Sequence, residues 1–323
     1  MIATRLTEKF DLRHPVISAP MALAAGGRLA AAVSRAGGLG LIGGGYGDAD
    51  WLEREYAEAG NEGVGVGFIT WSLANAPALL DAALARAPRA VFLSFGDPAP
   101  FAPAIHKAGV ALICQVQNLD DARAALDAGA AVVVAQGTEA GGHGARRATM
   151  TLVPEVADLL AARAPDVLLC AAGGIADGRG LAAALALGAD GAVVGSRFWA
   201  SEECLAHPGL QAAAVAASGD DTIRTSSVDI ARGRDWPDRF DIRVIRNGFT
   251  DRWHADPAGL RAAVAEEGPR WAAAAASGDA SVANPIIGEA TGLIRDRRPA
   301  AELLERMTSE AEAVLRANAA RLA

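Results

Sequence analysis

Residues 135–146 read AQGTEAGGHGAR. The stretch sets an acid, Glu139, and a histidine, His143, among glycines directly after the apolar run 131–135. Histidine exchanges a proton near neutral pH, with a reference pKa of about 6.5. Glycines let backbone approach a flat ligand closely. A lone loop histidine is more often solvated than catalytic. Here the position favours chemistry, because the residue lies between glycines at the end of an apolar run that reads as a strand. Glu139 reads first as an acceptor of backbone N–H groups that orients the loop, and second as an acid or base. Two later stretches point to an anion. AAGGIADGRG carries Gly173 and Gly174, then Asp177 where a helix should begin, and VVGSRF carries Gly195 and Ser196 before another helix. Glycine backbone ahead of a helix N-terminus offers free N–H groups and a favourable dipole, which suits a phosphate.

The other candidates read more plainly. His14, His106, His207 and His254 fit structural or solvated roles, and Asp97, followed by Pro98, fits a turn. The arginine-rich stretch 224–243 could close over a ligand, but a solvated insertion loop is the safer reading. No GxSxG elbow supports a serine nucleophile, and no two-histidine carboxylate pattern supports a metal. Cys114, Cys170 and Cys204 are odd in number and widely spaced, which predicts free thiols in a reducing, cytoplasmic setting. The 323 residues are 51% apolar with a formal charge of −8, and no basic tract suggests nucleic acid. No signal peptide or membrane span is read. The alanine-rich helical surface is compatible with a homo-oligomer and with a monomer alike.

The elements that must position these residues follow from the apolar pattern. Strands are predicted at 15–20, 39–43, 64–69, 90–95, 111–116, 131–136, 167–172 and 191–195, with helical stretches between them. Several are apolar at consecutive positions, as suits strands buried on both faces of a parallel sheet. Eight βα units within about 200 residues predict an α/β fold of the closed (β/α)8 barrel type. An open doubly wound sheet is the alternative, but no GxGxxG follows the first strand. Barrel active sites gather at the C-terminal strand ends. Pro20, Met21, Gly67, Gln115, Gln136, Gly173, Gly174, Gly195 and Ser196 fall there, or within a turn of there. The expected organisation is a barrel of 1–200 plus 290–323, with a helical insertion at 201–289 on the substrate side and a final helix from about Ala300.

The segments PVISAPM, AAAVSRAGGLGLIGGG, AQGTEAGGHG, AAGGIADGRGLAAALALGADGAVVGSRF and GEATGLI occur in this order along nearly the whole chain. Together they resemble the nitronate monooxygenase family, formerly the 2-nitropropane dioxygenases. The resemblance implies a (β/α)8 barrel with non-covalent FMN and a helical domain inserted near the eighth strand. It implies that Ala19, Pro20 and Met21 line the flavin ring, and that Gly67, Gln115 and Gln136 lie near the ring and ribityl chain. It places Gly141 and Gly142 beside the flavin, and Ala172, Gly173, Gly174, Gly195 and Ser196 at the phosphate. His143 matches the family's catalytic histidine, the base that takes the α-proton of a nitroalkane. The implied substrates are nitronates or nitroalkanes and oxygen, and the implied products are a carbonyl compound and nitrite. Some relatives carry lysine where this chain has Gln115 and asparagine where it has Gly67. Glutamine offers the flavin a dipole where lysine offers a charge. Tyr46 follows the second strand within reach of the site, whereas Tyr56 reads as helical. FMN-dependent NAD(P)H reductases of the quinone or enoyl type resemble the same motifs and form the alternative.

Overall fold

The structure is a computed structural model and describes residues 2–322. Its strands in chain order are β1 (Val16–Ser18), β2 (Leu41–Gly43), β3 (Gly65–Ile69), β4 (Ala90–Ser94), β5 (Ala111–Val116), β6 (Val132–Gln136), β7 (Gly142–Gly144), β8 (Leu168–Ala172), β9 (Gly191–Val194), β10 (Thr222–Thr225) and β11 (Asp241–Ile245). Eight of them form one parallel sheet in the order β1-β9-β8-β6-β5-β4-β3-β2. The ring closes between β1 and the residues leading into β2. Leu39 pairs with Ile17 there, donating to Val16 O and accepting from Ser18 N, each at 3.0 Å. Each predicted strand coincides with one of these eight, and the fold is a (β/α)8 barrel.

The consecutive apolar runs are explained by two cores. Along β6, Val132 and Val134 face the barrel interior with Phe92, Ile113, Cys170 and Val193. Val133 and Ala135 face the outer helices. Every residue of β4, β6, β8 and β9 is buried, so both faces need apolar side chains. Leu6, Phe10 and Leu12, in and after the N-terminal helix Arg5–Phe10, join the interior cluster and close the end of the barrel remote from the strand C-termini.

The segment after β9 departs from a purely helical expectation. It contains helices Pro208–Ala216, Ser227–Ala231, Gly248–Trp253 and Pro257–Ser277, but also β10 and β11. These two strands pair antiparallel with each other, and β11 pairs with β7 so that Ile242 lies opposite His143. Residues 257–277 form one continuous helix with Pro269 inside it. The helix Ala300–Ala319 returns to pack against helices Gly178–Ala186 and Gly27–Ala36, as the sequence predicts. Among the described residues, no helix is long and apolar enough to cross a membrane.

Candidate active site

A cleft opens at the C-terminal mouth of the barrel, enclosing about 1200 Å³ with its entrance included. Its wall contains all of the site residues singled out in the sequence: Ala19, Pro20 and Met21 after β1, Gly67 in β3, Gln115 in β5, Gln136 ending β6, Gly141 to His143, Ala172 to Gly174 after β8, and Gly195 with Ser196 after β9. It also contains residues the sequence did not single out, notably Phe95, Arg232, Trp236, Ile242 and Ile286.

His143 is the most constrained polar group in that wall. Its Nε2 lies 2.9 Å from Asp229 Oδ2, and the two side chains are only 7% and 5% exposed. Its ring stacks on Trp236, with centroids 3.4 Å apart and planes 7° from parallel. Phe95 meets the same ring edge-on and also touches Trp236 and Phe240. Phe95 holds this place with φ of 63°, in the left-handed region that bulky residues avoid. Gln136 fixes the backbone: its Nε2 donates to His143 O at 3.1 Å, while its Oε1 accepts from Gln115 and Gln117. Burial pushes the His143 pKa down, opposed by the Asp229 hydrogen bond and charge and assisted by Arg232 and Arg224. Nδ1 makes no protein hydrogen bond among the described residues and is not sealed from the cleft. The arrangement is a neutral imidazole with one nitrogen held and the other open, which can accept a proton.

The glycines of the histidine loop serve different ends. A Cβ on Gly141 would lie 2.4 Å from the backbone at Ile287 and Gly288, so this position is glycine because the late GEATGLI segment packs on it. Gly142 has φ of 69°, and a Cβ there would meet Ile286 Cγ2 at 3.8 Å. A Cβ on Gly144 would fall 2.7 Å from the Arg224 guanidinium. Gly67 likewise makes room for Pro20, whose Cγ lies 2.3 Å from where its Cβ would be. Close approach of chain to chain, not of chain to ligand, therefore explains three of these positions.

The far end of the cleft suits an anion. Among the described residues no protein acceptor takes the backbone N–H of Gly174, Gly195 or Ser196. Ser196 Oγ accepts from Gly288 N at 3.0 Å, which leaves its own proton to donate. Gly195 has an ordinary φ of −104°, and a Cβ there would meet nothing closer than Ala19 Cβ at 3.5 Å and Met21 Sδ at 3.8 Å. No contact in the protein demands glycine at 195, so the space beside it is room for something else. Unused N–H donors beside that room fit a phosphate group.

The remaining candidates fall where the bland readings put them. Glu139 accepts from Thr149 N and Thr149 Oγ1, capping helix Thr149–Arg163, so it orients the loop. Asp177 caps helix Gly178–Ala186 through Arg179 N and Gly180 N. Asp97 accepts from Ala99 N in a turn. His14 bonds Thr308, His106 bonds Ala128 O, His207 caps Gly209 N, and His254 is exposed at a helix end. The three cysteines are free and buried. Tyr46 reaches the cleft and accepts from Trp236 Nε1 at 3.3 Å, while Tyr56 lies in helix Ala49–Ala59. The reading of 224–243 as a solvated loop is corrected. Asp229, Trp236, Phe240 and Arg243 are buried, and Arg224 is largely so, because β10 and β11 fold this stretch onto the histidine loop.

Comparison with known proteins gives the same direction. A family model described as nitronate monooxygenase matches residues 3–61 and 75–310. A nitronate monooxygenase of Neurospora crassa is 36% identical over 96% of this chain and 92% of its own. The structure of FabK from Thermotoga maritima superposes with a TM-score of 0.87 at 30% identity, covering 99% of this chain and 100% of that one. A nitroalkane oxidase from Streptomyces ansochromogenes superposes with a TM-score of 0.80 at 27% identity, covering 95% and 99%. With a matching family model over most of its length, and with its barrel, glycine-rich anion end and buried histidine in place, the chain belongs to the nitronate monooxygenase family of flavin-dependent oxidoreductases.

Proposed function

We propose that the chain binds FMN in this cleft and oxidises nitroalkanes and alkyl nitronates with oxygen to a carbonyl compound and nitrite, with His143 as the base. The observation that carries the reading is His143 itself, buried beside the cleft with Nε2 tied to Asp229 and Nδ1 open. The backbone N–H groups of Gly174, Gly195 and Ser196, with the Ser196 hydroxyl, would hold the FMN phosphate. Ala172 and Gly173 would shape that end. Ala19, Pro20, Met21, Gly67, Gly141 and Gly142 would border the ring, with Gln115 and Gln136 as the polar groups nearby. FMN when bound supplies electron transfer from substrate to oxygen. The protein's part is to orient the substrate, exclude water with Phe95, Trp236 and Ile242, and take the α-proton on His143. A nitronate enters as the anion and needs no such transfer. Residues 201–289 would act as the substrate-side unit on a barrel of 1–200 plus 290–323, since Arg232, Trp236, Ile242 and Ile286 all wall the cleft.

Anaerobic mixing of the flavin-loaded protein with propionate 3-nitronate, NADH and NADPH in separate runs tests this reading. Flavin absorbance should bleach quickly with the nitronate alone. Rapid bleaching by a nicotinamide alone would overturn the proposal in favour of an FMN-dependent reductase of the quinone or enoyl type.

The anion end makes its own prediction. Gly195→Ala should weaken FMN binding at least about tenfold, roughly 1.4 kcal/mol. It should leave the unfolding free energy of the flavin-free protein within about 0.5 kcal/mol. Flavin titration and urea unfolding check the two halves. Equal affinity in the variant would place the phosphate elsewhere.

A further inference from the structure

We propose that Asp229 is a positioning residue for His143, holding the imidazole as the Nε2–H tautomer so that Nδ1 faces the substrate as the proton acceptor. The inference rests on the reading of His143 as the base. It starts from the hydrogen bond of 2.9 Å between two side chains that are each more than nine-tenths buried. The carboxylate has little else to do. Its second oxygen, Oδ1, is buried without a hydrogen bond, and the nearest cation, Arg232, lies at 4.0 Å. His143 is thus the only hydrogen-bonding partner of the Asp229 side chain among the described residues. A buried carboxylate with one hydrogen-bonding partner is better compensated when that partner gains positive charge. Proton uptake at Nδ1 supplies that charge.

The surroundings fix the direction. Asp229 lies in the short helix Ser227–Ala231, anchored by Ser227 N to Thr225 Oγ1 at 3.1 Å and by Arg234 N to Asp229 O at 2.9 Å. Trp236 covers one face of the imidazole, so the ring cannot turn over without displacing the indole. A carboxylate accepts and does not donate, so the nitrogen facing it carries the hydrogen and the other carries the lone pair. In the reaction the substrate's α C–H bond breaks and the proton passes to Nδ1. The bonding electron pair stays on the substrate as the nitronate. The imidazolium so formed faces Asp229 through Nε2–H. The charged groups that act on the ring are Asp229 from its helix, Arg232 just beyond it and Arg224 from β10. Asp229 alone favours the protonated ring, so its removal moves the acid limb of the rate profile to lower pH.

The experiment compares Asp229→Asn and His143→Asn with the parent enzyme, each flavin-loaded, on nitroethane and on preformed ethyl nitronate, across the acid and neutral range. Asp229→Asn should lower kcat/KM for nitroethane by at least roughly 10–100-fold, the cost seen when the carboxylate behind a metal-bound histidine is lost. Ethyl nitronate should change by less than about threefold, and the acid limb for nitroethane should move down in pH. Equal losses on both substrates, or an unmoved limb, would leave Asp229 a packing residue and overturn the proposal. Failure of the underlying reading looks different: His143→Asn would then leave nitroethane and ethyl nitronate affected alike. A measurement on the parent protein needs no variant. Histidine nitrogen NMR should show one slowly exchanging side chain with hydrogen on Nε2, and a buried Nδ1–H tautomer would refute the assignment.

Discussion

His143→Asn is expected to lower kcat/KM for a neutral nitroalkane by about 10²–10⁴-fold, the range attributed to a positioned general base. The same variant should turn over a preformed nitronate within about tenfold of the parent, because that substrate arrives without its α-proton. The split matters more than the size of the loss. Damage to packing or to flavin binding lowers both rates together, since both substrates need the same cleft. In the parent enzyme the nitroalkane rate should be flat at neutral pH and fall only in acid. Burial holds the His143 pKa below its usual 6.5, so the ring is already neutral and competent at pH 7. As pH drops through the lowered value, the ring gains a proton and the base is lost. In His143→Asn that limb should vanish. Steady-state kinetics on the two substrates across pH give the answer, and a preserved limb would point to another group as the base.

The barrel and the glycine-bearing strand ends were legible because they rest on local signals. Runs such as 131–136 and 167–172 are apolar at successive positions, and only a strand covered on both faces wants that. The residues at their C-terminal ends then follow from topology, so His143, Gly174 and Ser196 could be placed without any contact being known. Asp229 and Trp236 carry no such signal. They belong to a polar stretch whose burial depends on β11 meeting β7, and β7 is Gly-His-Gly, with no β-branched residue to announce a strand. Arginines in a sequence are normally solvated. That Arg224 and Arg243 turn inward is decided by carbonyl groups of residues 138–144, about 80 to 100 positions away in the chain. The glycines show the same limit from the other side. Gly141 was legible as a close approach, but what approaches it is the backbone at Gly288.

Arg224→Met is expected to be the most destabilising single change near the site, costing roughly 3–5 kcal/mol, because it leaves several backbone carbonyl groups without their donor. The guanidinium donates to Thr138 O at 2.8 Å, Ala140 O at 3.2 Å, Asp241 O at 2.6 Å and, at 3.4 Å, Gly144 O. It thereby ties β10, β11 and both sides of the histidine loop to one planar group. Burial, with help from Arg243, lowers its pKa to about 10, so it remains charged at neutral pH. Methionine fills much of the volume but leaves those carbonyls without a donor, at about 1–3 kcal/mol for each one that water cannot reach. Arg224→Lys separates charge from geometry. A lysine ammonium keeps the charge but cannot span carbonyls arranged around a fork, so it should recover less than half of the loss. Urea unfolding of the flavin-free proteins measures both variants, and full recovery by lysine would mean that charge alone holds the loop. Hydrogen exchange at the amides of 137–144 should quicken in Arg224→Met well before global unfolding, because the staple is local to the loop that carries His143.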